Sequence, residues 1–182
     1  MSWQSVTAEV LLKVTAKKVV AIAAANAAVM LQNRPSKVIR KVDGDPNATD
    51  DAIKLVSKVV YQYVYLTEIV AVALRLLREK SPVGSKDDKH AGLYRDSHFV
   101  FLNGTKVDDV AGWQPGQVIY ISNPVPYARK IESGRMKTSV PGHVYEGAAQ
   151  VLAPLFSNVA SIEYKIVSID GALQPALEIK AR

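Results

Sequence analysis

The sequence predicts an α+β fold: two long N-terminal helices, then a small antiparallel β-sheet packed with a further helix. Apolar residues recur at helical spacing through much of the first 80 residues, and short alternating segments follow residue 81. Turn pairs such as Asn103-Gly104 separate those segments. With 48% hydrophobic and 22% charged residues, the 182-residue chain has the composition of a globular protein, which excludes a disordered one.

The first predicted helix spans Thr7 to Asn33 and has an alanine-rich middle. Alanine has the highest helix propensity, and Arg34-Pro35 ends the helix because proline disfavours helical geometry in the residue before it. The apolar run from Val19 to Leu31 follows several lysines, as in a secretory signal. The residues before that run have a helical pattern of their own, so we expect an uncleaved helix.

Turn-forming residues are dense between positions 34 and 49, which predicts a linker or an exposed hairpin-like loop. We therefore divide the chain into an N-terminal helical arm with its linker, residues 1–49, and an α+β domain, residues 50–182.

The second predicted helix runs from Asp50 to Lys80, because Asp50 suits the positive end of the helix dipole and Ser81-Pro82 stops the helix. Its apolar stripe widens after Val59 until most faces are apolar, and such a helix is covered on several sides. We expect the first helix or a neighbouring subunit to cover it, with Tyr61 and Tyr65 as candidate interface residues. Charges inside the apolar stretch argue against a membrane span.

The remaining elements of the domain are predicted from local alternation, turn pairs and apolar spacing. They are strands at Ser97–Leu102, Val118–Ser122, Ala160–Ile169 and Leu177–Lys180, and a helix at His143–Phe156.

The sequence contains none of the usual phosphate-loop, dinucleotide, zinc-protease or nucleophile-elbow motifs. The absence of cysteine excludes disulfides, thiolate metal sites and cysteine nucleophiles. The histidines, His90, His98 and His143, lack metal-ligand spacing, and we interpret them as loop or strand-surface residues. We therefore expect neither enzymatic activity nor a metal or other cofactor. A hydrolase with a dispersed site has no positive support.

The basic residues concentrate in one place within the second half of the chain. The net charge is +6, and Arg129, Lys130, Arg135 and Lys137 form a cluster that only Glu132 opposes. Such a loop suits sequence-independent contact with DNA phosphates. The alternative is a solvated flexible loop, because Tyr127 is the only nearby aromatic residue on which a base could stack.

Two segments resemble the paired motifs of one protein family. Ser81-Pro82-Val83 followed by residues 91–97 resembles the signature S-P-V, x-G-x-L-R-x-S, which precedes a strand. Residues 123–134 resemble its partner, N-x-V-x-Y-A-x-x-x-E-x-G. Both motifs belong to the tail-completion proteins, also called minor tail or neck proteins, of tailed bacteriophages. The resemblance covers about residues 50–182.

Two features depart from the family pattern. The stretch between Val83 and Gly92 is longer and more charged than the usual short turn, and Ala91 stands where threonine is common. Residues 1–49 lie outside the pattern.

The resemblance implies a non-enzymatic virion protein at the neck of the particle, assembled in the host cytoplasm. Its partners would be further copies of itself in a sixfold ring, the head–tail connector, and the tail-tube or terminator proteins. Genomic DNA would pass through the ring with non-specific contacts, and no membrane would be involved. The alternative function is a small basic nucleic-acid-binding protein, which steep salt dependence of DNA affinity would distinguish.

The motif residues have two interpretations. Tyr127 and Glu132 are candidate contacts with a neighbouring subunit or partner. Alternatively, they maintain the fold: Gly92 and Gly134 allow tight turns, Tyr127 buries its ring, and Glu132 pairs with Arg95 or Arg129 to pin the loop.

Overall fold

The computed structural model describes residues 35–182, except Leu55, Lys86, Asp88 and Ser139, together with Lys18, Val20 and Ala21. The chain divides into two compact units, Met1–Tyr65 and Leu66–Arg182. The predicted boundary after residue 49 therefore falls inside the first unit.

The described part of the first unit is a β-hairpin. Strand β1 (Lys37–Val42) pairs antiparallel with β2 (Val59–Val64), with Lys37 opposite Val64. The turn after β1 is set by Asp43, whose carboxylate accepts hydrogen bonds from the Lys58 amide and the Ser57 hydroxyl, both at 2.7 Å. These bonds favour the charged form and lower the pKa of Asp43. A 3₁₀ turn at Asp50–Ala52 interrupts the long connection.

The second unit contains four helices and five strands among its described residues. In chain order they are α1 (Leu66–Lys80), α2 (Leu93–Asp96), β3 (Phe99–Leu102), β4 (Thr105–Val107), β5 (Ile119–Ser122), α3 (Ala128–Glu132), α4 (Val144–Leu155), β6 (Ala160–Ile169) and β7 (Ala172–Ala181). The strands form one antiparallel sheet in the order β4-β3-β5-β7-β6. This order leaves the short β4 at one edge and the ten-residue β6 at the other.

The core of the second unit lies between the helices and one face of this sheet. Helix α1 buries Leu66, Ile69, Ala73 and Leu77, which lie three or four positions apart and so share one face. Helix α4 packs against β6, β7 and α1. On the sheet, Ile119, Ile121, Leu177 and Ile179 are fully buried. They alternate with other residues along β5 and β7, as expected where one face of a strand meets the core.

The prediction of two long N-terminal helices is wrong. Residues 59–64 form a strand, and the helix that follows begins at Leu66 rather than Asp50. The physical reason is composition: five of these six residues are valine or tyrosine, whose branched or aromatic side chains favour a pleated strand over a helix. The first predicted helix, Thr7–Asn33, lies outside the described residues apart from Lys18, Val20 and Ala21, which are helical.

The predictions for the rest of the chain agree better with the structure. The strands predicted at Ser97–Leu102, Val118–Ser122 and Ala160–Ile169 and the helix at His143–Phe156 match β3, β5, β6 and α4 to within two residues. The last strand begins earlier than predicted, at Ala172. In the part of the chain described above, no helix is both long and apolar enough to cross a bilayer.

Candidate functional site

The two motif segments meet in the interior of the second unit. Asn123 is fully buried, and its side-chain Nδ2 donates to the Tyr94 carbonyl oxygen at 2.7 Å. Its Oδ1 accepts from the Val125 amide at 3.2 Å. The rings of Tyr94 and Tyr127 lie beside each other with centroids 6.4 Å apart. We call this contact between Tyr94, Asn123 and Tyr127 the motif junction. It joins segments that are about thirty residues apart in the chain.

An open cavity of about 620 Å³ lies beside the motif junction. Pro82 and Val83 of the first motif and Tyr127 and Ile131 of the second contribute to its wall, with Met136 from the following loop. The lining is mostly apolar, and we call it the aromatic cavity. The Tyr94 hydroxyl is buried and has no hydrogen-bond partner in the described structure. Burial raises the pKa of Tyr94 far above its ordinary value.

A buried chain of hydrogen bonds connects three elements around this region. The Ser81 Oγ lies 2.7 Å from His98 Nε2, and His98 Nδ1 lies 2.7 Å from the Tyr145 hydroxyl. Ser81 follows α1, His98 precedes β3, and Tyr145 is in the first turn of α4. All three residues are less than 5% exposed. The prediction that His98 is a loop or strand-surface residue is therefore wrong.

The directions of these hydrogen bonds follow from the number of protons available. The Ser81 hydroxyl donates its single proton to the Leu77 carbonyl at 2.6 Å, so it accepts from His98 Nε2–H. His98 Nδ1 is then unprotonated and accepts from Tyr145 O–H. Burial disfavours the imidazolium, and with Arg78 nearby the pKa of His98 falls to about 4 despite the opposing charge of Asp96.

This arrangement does not activate Ser81 as a nucleophile. A general base must accept the hydroxyl proton of the nucleophile, whereas His98 donates to Ser81. Both side chains of the pair are also buried. The contact resembles a catalytic pair in distance alone, and its role is to tie α1, β3 and α4 together.

Glu132, the acidic residue of the second motif, caps helix α4. Its carboxylate accepts hydrogen bonds from the backbone amides of Tyr145, at 3.0 Å, and Glu146, at 2.9 Å. Two free N–H groups of the first turn are thereby satisfied. Burial raises the pKa of Glu132, and the two amide bonds oppose that rise.

The expected pairing of Glu132 with Arg95 or Arg129 is therefore wrong. Arg95 pairs instead with its neighbour Asp96, with Nε and Oδ1 3.0 Å apart. Glu132 is only 4% exposed, and its carboxylate is bound to backbone amides inside the unit. Its predicted contact with a neighbouring subunit or partner stays a prediction. The cause is local geometry, since the carboxylate lies closer to the start of α4 than to either guanidinium.

Residues 133–143 form a loop whose two ends are held together. The His143 amide donates to the Glu132 carbonyl at 3.0 Å. A Cβ on Gly142 would lie 2.5 Å from the Ile131 carbonyl oxygen and 2.8 Å from Gly134, so only glycine fits there. Gly134 has φ +66°, and Gly92 in the first motif has φ +79°, which confirms the tight turns predicted for both.

The predicted basic cluster divides between two cavities. Arg129, Lys130 and Arg135 line a second open cavity of about 540 Å³, which we call the basic cavity. Lys137 lines the aromatic cavity instead. All four side chains are exposed, and none forms an ion pair with a described residue.

The other contributors to the basic cavity moderate its charge only in part. His143 and Glu146 form a pair with Nδ1 and Oε2 2.7 Å apart, and the Glu132 carboxylate is bound to backbone amides. Three cations consequently remain without a paired anion among the described residues of this cavity, and a phosphate or carboxylate group would complement them.

Tyr61 and Tyr65 lie in the first unit, apart from the motif residues in sequence. Tyr61 is in β2, Tyr65 follows that strand directly, and both are half-buried. Tyr127 is also half-buried. The interface role suggested for these three residues stays a prediction.

Sequence reasoning missed the residues that meet Ser81 in space. Tyr145 lies 47 positions from His98, and no spacing rule connects them. One local signal was available: Ser81, Tyr94 and Asn123 fall inside the two motif segments, and buried polar groups are nearly always hydrogen-bonded.

Comparisons with protein-family models, with curated proteins and with solved structures gave no match. The described residues also contain no group of three or more His, Cys, Asp or Glu side chains that could hold a metal ion.

Proposed function

We propose that this chain is a structural protein of a tailed-bacteriophage virion that forms a homo-oligomeric ring at the head–tail junction. In this role each copy contacts its neighbours, the connector on one side and the tail-tube or terminator protein on the other. The ring has six copies, as in the family whose motifs this chain resembles, and DNA passes through it. The protein would be assembled into the neck of the particle in the host cytoplasm and would need no cofactor.

The observation that carries this proposal is that both motif segments work together in one unit. Asn123 of the second motif is bonded to Tyr94 of the first, and Glu132 holds the loop that follows. Residues that resemble the family signature are therefore the residues that organise this fold.

The proposal is tested by the native mass of the full chain across concentration, with electron-microscope images of the same samples. We expect closed rings of about six copies of the 19.8 kDa chain at high concentration or on addition of connector. A chain that stays monomeric under both conditions would contradict the proposal.

The lumen contact is tested separately in assembled particles. Reversing the charges of Arg129, Lys130, Arg135 and Lys137 to glutamate should reduce DNA retention or alter ejection, because phosphate contacts would become repulsive. Unchanged retention and ejection would rule out the contact and leave the ring intact.

A second candidate function, a small basic nucleic-acid-binding protein, is favoured by the basic cavity alone. Its three unpaired cations suit phosphate groups, and the half-buried Tyr164 is the single aromatic residue in its described wall. A monomer whose DNA affinity falls steeply with salt would favour this candidate.

A further inference from the structure

The two edges of the five-stranded sheet are protected to different degrees. Edge strand β4 has three residues, and Lys106 covers the neighbouring Phe99 ring at 3.4 Å. Edge strand β6 has ten residues, no proline and an unbroken register against β7. Natural sheets usually shorten, kink or cover an exposed edge, because unpaired backbone groups recruit another strand. Strand β6 is neither short nor interrupted by proline, and no other described strand pairs with its outer edge. Of the usual protections it has charged side chains alone, Glu163 and Lys165.

The outer edge of β6 has no partner in the described structure. Strand β7 is its sole strand neighbour among the described residues, and no backbone hydrogen bond from another described segment reaches residues 161–169. Every second residue of the strand therefore presents an amide and a carbonyl outward. The hairpin also extends past the sheet, since β5 ends opposite Ala176 while β6 and β7 remain paired up to Ile169 and Ala172.

The sequence of β6 is nearly the same in both directions about Tyr164. Ile162 and Ile166 flank it at two positions, and Glu163 and Lys165 flank it at one. If a second copy pairs antiparallel with Tyr164 opposite Tyr164, each Glu163 lies opposite Lys165 of the other copy. The isoleucines then lie opposite each other on the other face, and Ile166, which is 42% exposed, is covered.

The two charges also select this register. Centring the pair on Glu163 or on Lys165 places like charges directly opposite each other, which is destabilising. A slip by one residue turns the second copy over and exchanges its two faces. Within each copy, Glu163 and Lys165 already attract each other, with Oε2 and Nζ 2.7 Å apart, and the pairing turns this couple into a four-charge cluster.

We propose that β6 is the pairing edge for a second copy of this chain, which joins two sheets across a twofold axis at Tyr164. The contact is isologous, so it closes at two copies and differs from the repeated contact that a ring needs. It does not depend on the proposed function, and it protects the edge in chains that are not assembled. Tyr164 and Ile166 also line the basic cavity, so the pairing brings Arg129, Lys130 and Arg135 of the two copies near each other. Their repulsion opposes the contact and is strongest at low salt.

Cross-linking through an introduced cysteine tests the register, because the natural chain has no cysteine to interfere. In the full-length Tyr164→Cys variant, the two Cβ atoms would lie about 5 Å apart, within reach of a disulfide under mild oxidation. Ser168→Cys is the matched control on the same strand, since its two copies would lie about 26 Å apart. We expect a disulfide-linked dimer for the first variant and none for the second.

A charge swap tests the same contact without cysteine. Glu163→Lys should weaken the dimer about tenfold in sedimentation velocity at 0.15 M salt, and Glu163→Lys with Lys165→Glu should restore it. Thermal melting of each variant confirms folding. The double variant keeps opposite charges at positions 163 and 165 within each copy.

The outcomes separate this proposal from the ring. The β6 contact is overturned by a monomeric Tyr164→Cys variant that forms no cross-link, by a dimer unaffected by Glu163→Lys, or by equal cross-linking of the Tyr164→Cys and Ser168→Cys variants. Rings that form while Tyr164→Cys gives no cross-link would overturn the pairing and leave the proposed function standing. Dimers that form without rings would contradict the proposed function and leave the β6 pairing standing.

Discussion

The motif junction and the basic cavity both include residues of the second motif, and the buried and exposed residues of that motif differ in their access to solvent. Asn123 and Glu132 are buried, and all their described hydrogen bonds are made inside the unit. Arg129 and Lys130, between them in sequence, are exposed and have no ion-pair partner in the described structure. One motif therefore carries two tasks: its buried residues determine the loop conformation, and its exposed residues are free to meet a polyanion.

The largest expected effect is on the buried side. Glu132→Ala leaves the amides of Tyr145 and Glu146 without their acceptor, and we expect it to lower the free energy of unfolding by about 2–4 kcal/mol. Urea unfolding measures this change. Arg129→Ala is the matched control on the same helix and should change stability by less than about 0.5 kcal/mol. Equal effects of the two substitutions would remove the distinction between the two regions.

The second effect is the pH dependence that His98 gives to stability. Its pKa is lowered to about 4 in the folded state, whereas an unfolded histidine titrates near 6.5. Between these values the unfolded chain binds a proton that the folded chain does not, so stability falls as the pH falls from 6.5 to 4. The full loss is about 3 kcal/mol.

Unfolding of the natural chain and of His98→Gln between pH 4 and 7.5 isolates this contribution. Glu132 acts in the opposite direction, since its raised pKa favours the folded state as the pH falls, but it is present in both proteins. We expect the free energy of unfolding of the variant to decrease less than that of the natural chain as the pH falls. Parallel curves would show that His98 is not the buried neutral group described above.

The smallest effect on stability is expected for the exposed side. Reversing Arg129, Lys130 and Arg135 to glutamate should change the free energy of unfolding by less than about 1 kcal/mol, because no ion pair with a described residue is lost. If these residues contact DNA, the affinity of the variant for DNA should depend less on salt. The slope of log affinity against log salt concentration should be smaller in magnitude by about 3. Reversal of Lys54, Lys58 and Lys89, also exposed, changes the net charge equally and should leave the slope nearly unchanged.

The sheet of the second unit was largely predictable because its signals are local. Strand β6 alternates from Ala160 to Ile166, and Asp170-Gly171 closes its hairpin with positive φ at both positions. The apolar pattern at 59–64 predicts a helix wrongly, because apolar residues fit either the helical or the strand period when most positions are apolar. Its valine and tyrosine content was the better guide, since branched and aromatic side chains favour strands.

The polar interior was less predictable because its partners are distant in sequence. The bond between His98 and Tyr145 depends on how α4 packs near the start of β3. The position of Glu132 shows a second limit: pairing acidic with basic residues by charge overlooks backbone amides at a helix start, which bind a carboxylate without any charged partner.

The closed base of the 133–143 loop has a practical consequence for engineering the protein. Gly142 contacts Ile131 and Gly134 at the base of the loop. The number of residues between Gly134 and Gly142 can therefore change without moving that base. Doubling the length of such a loop costs only about 0.6 kcal/mol of closure entropy. An epitope or a fluorescent-dye tag inserted near Lys137 should therefore be displayed at the surface while the domain keeps its fold, which makes this loop a suitable place to label the isolated protein.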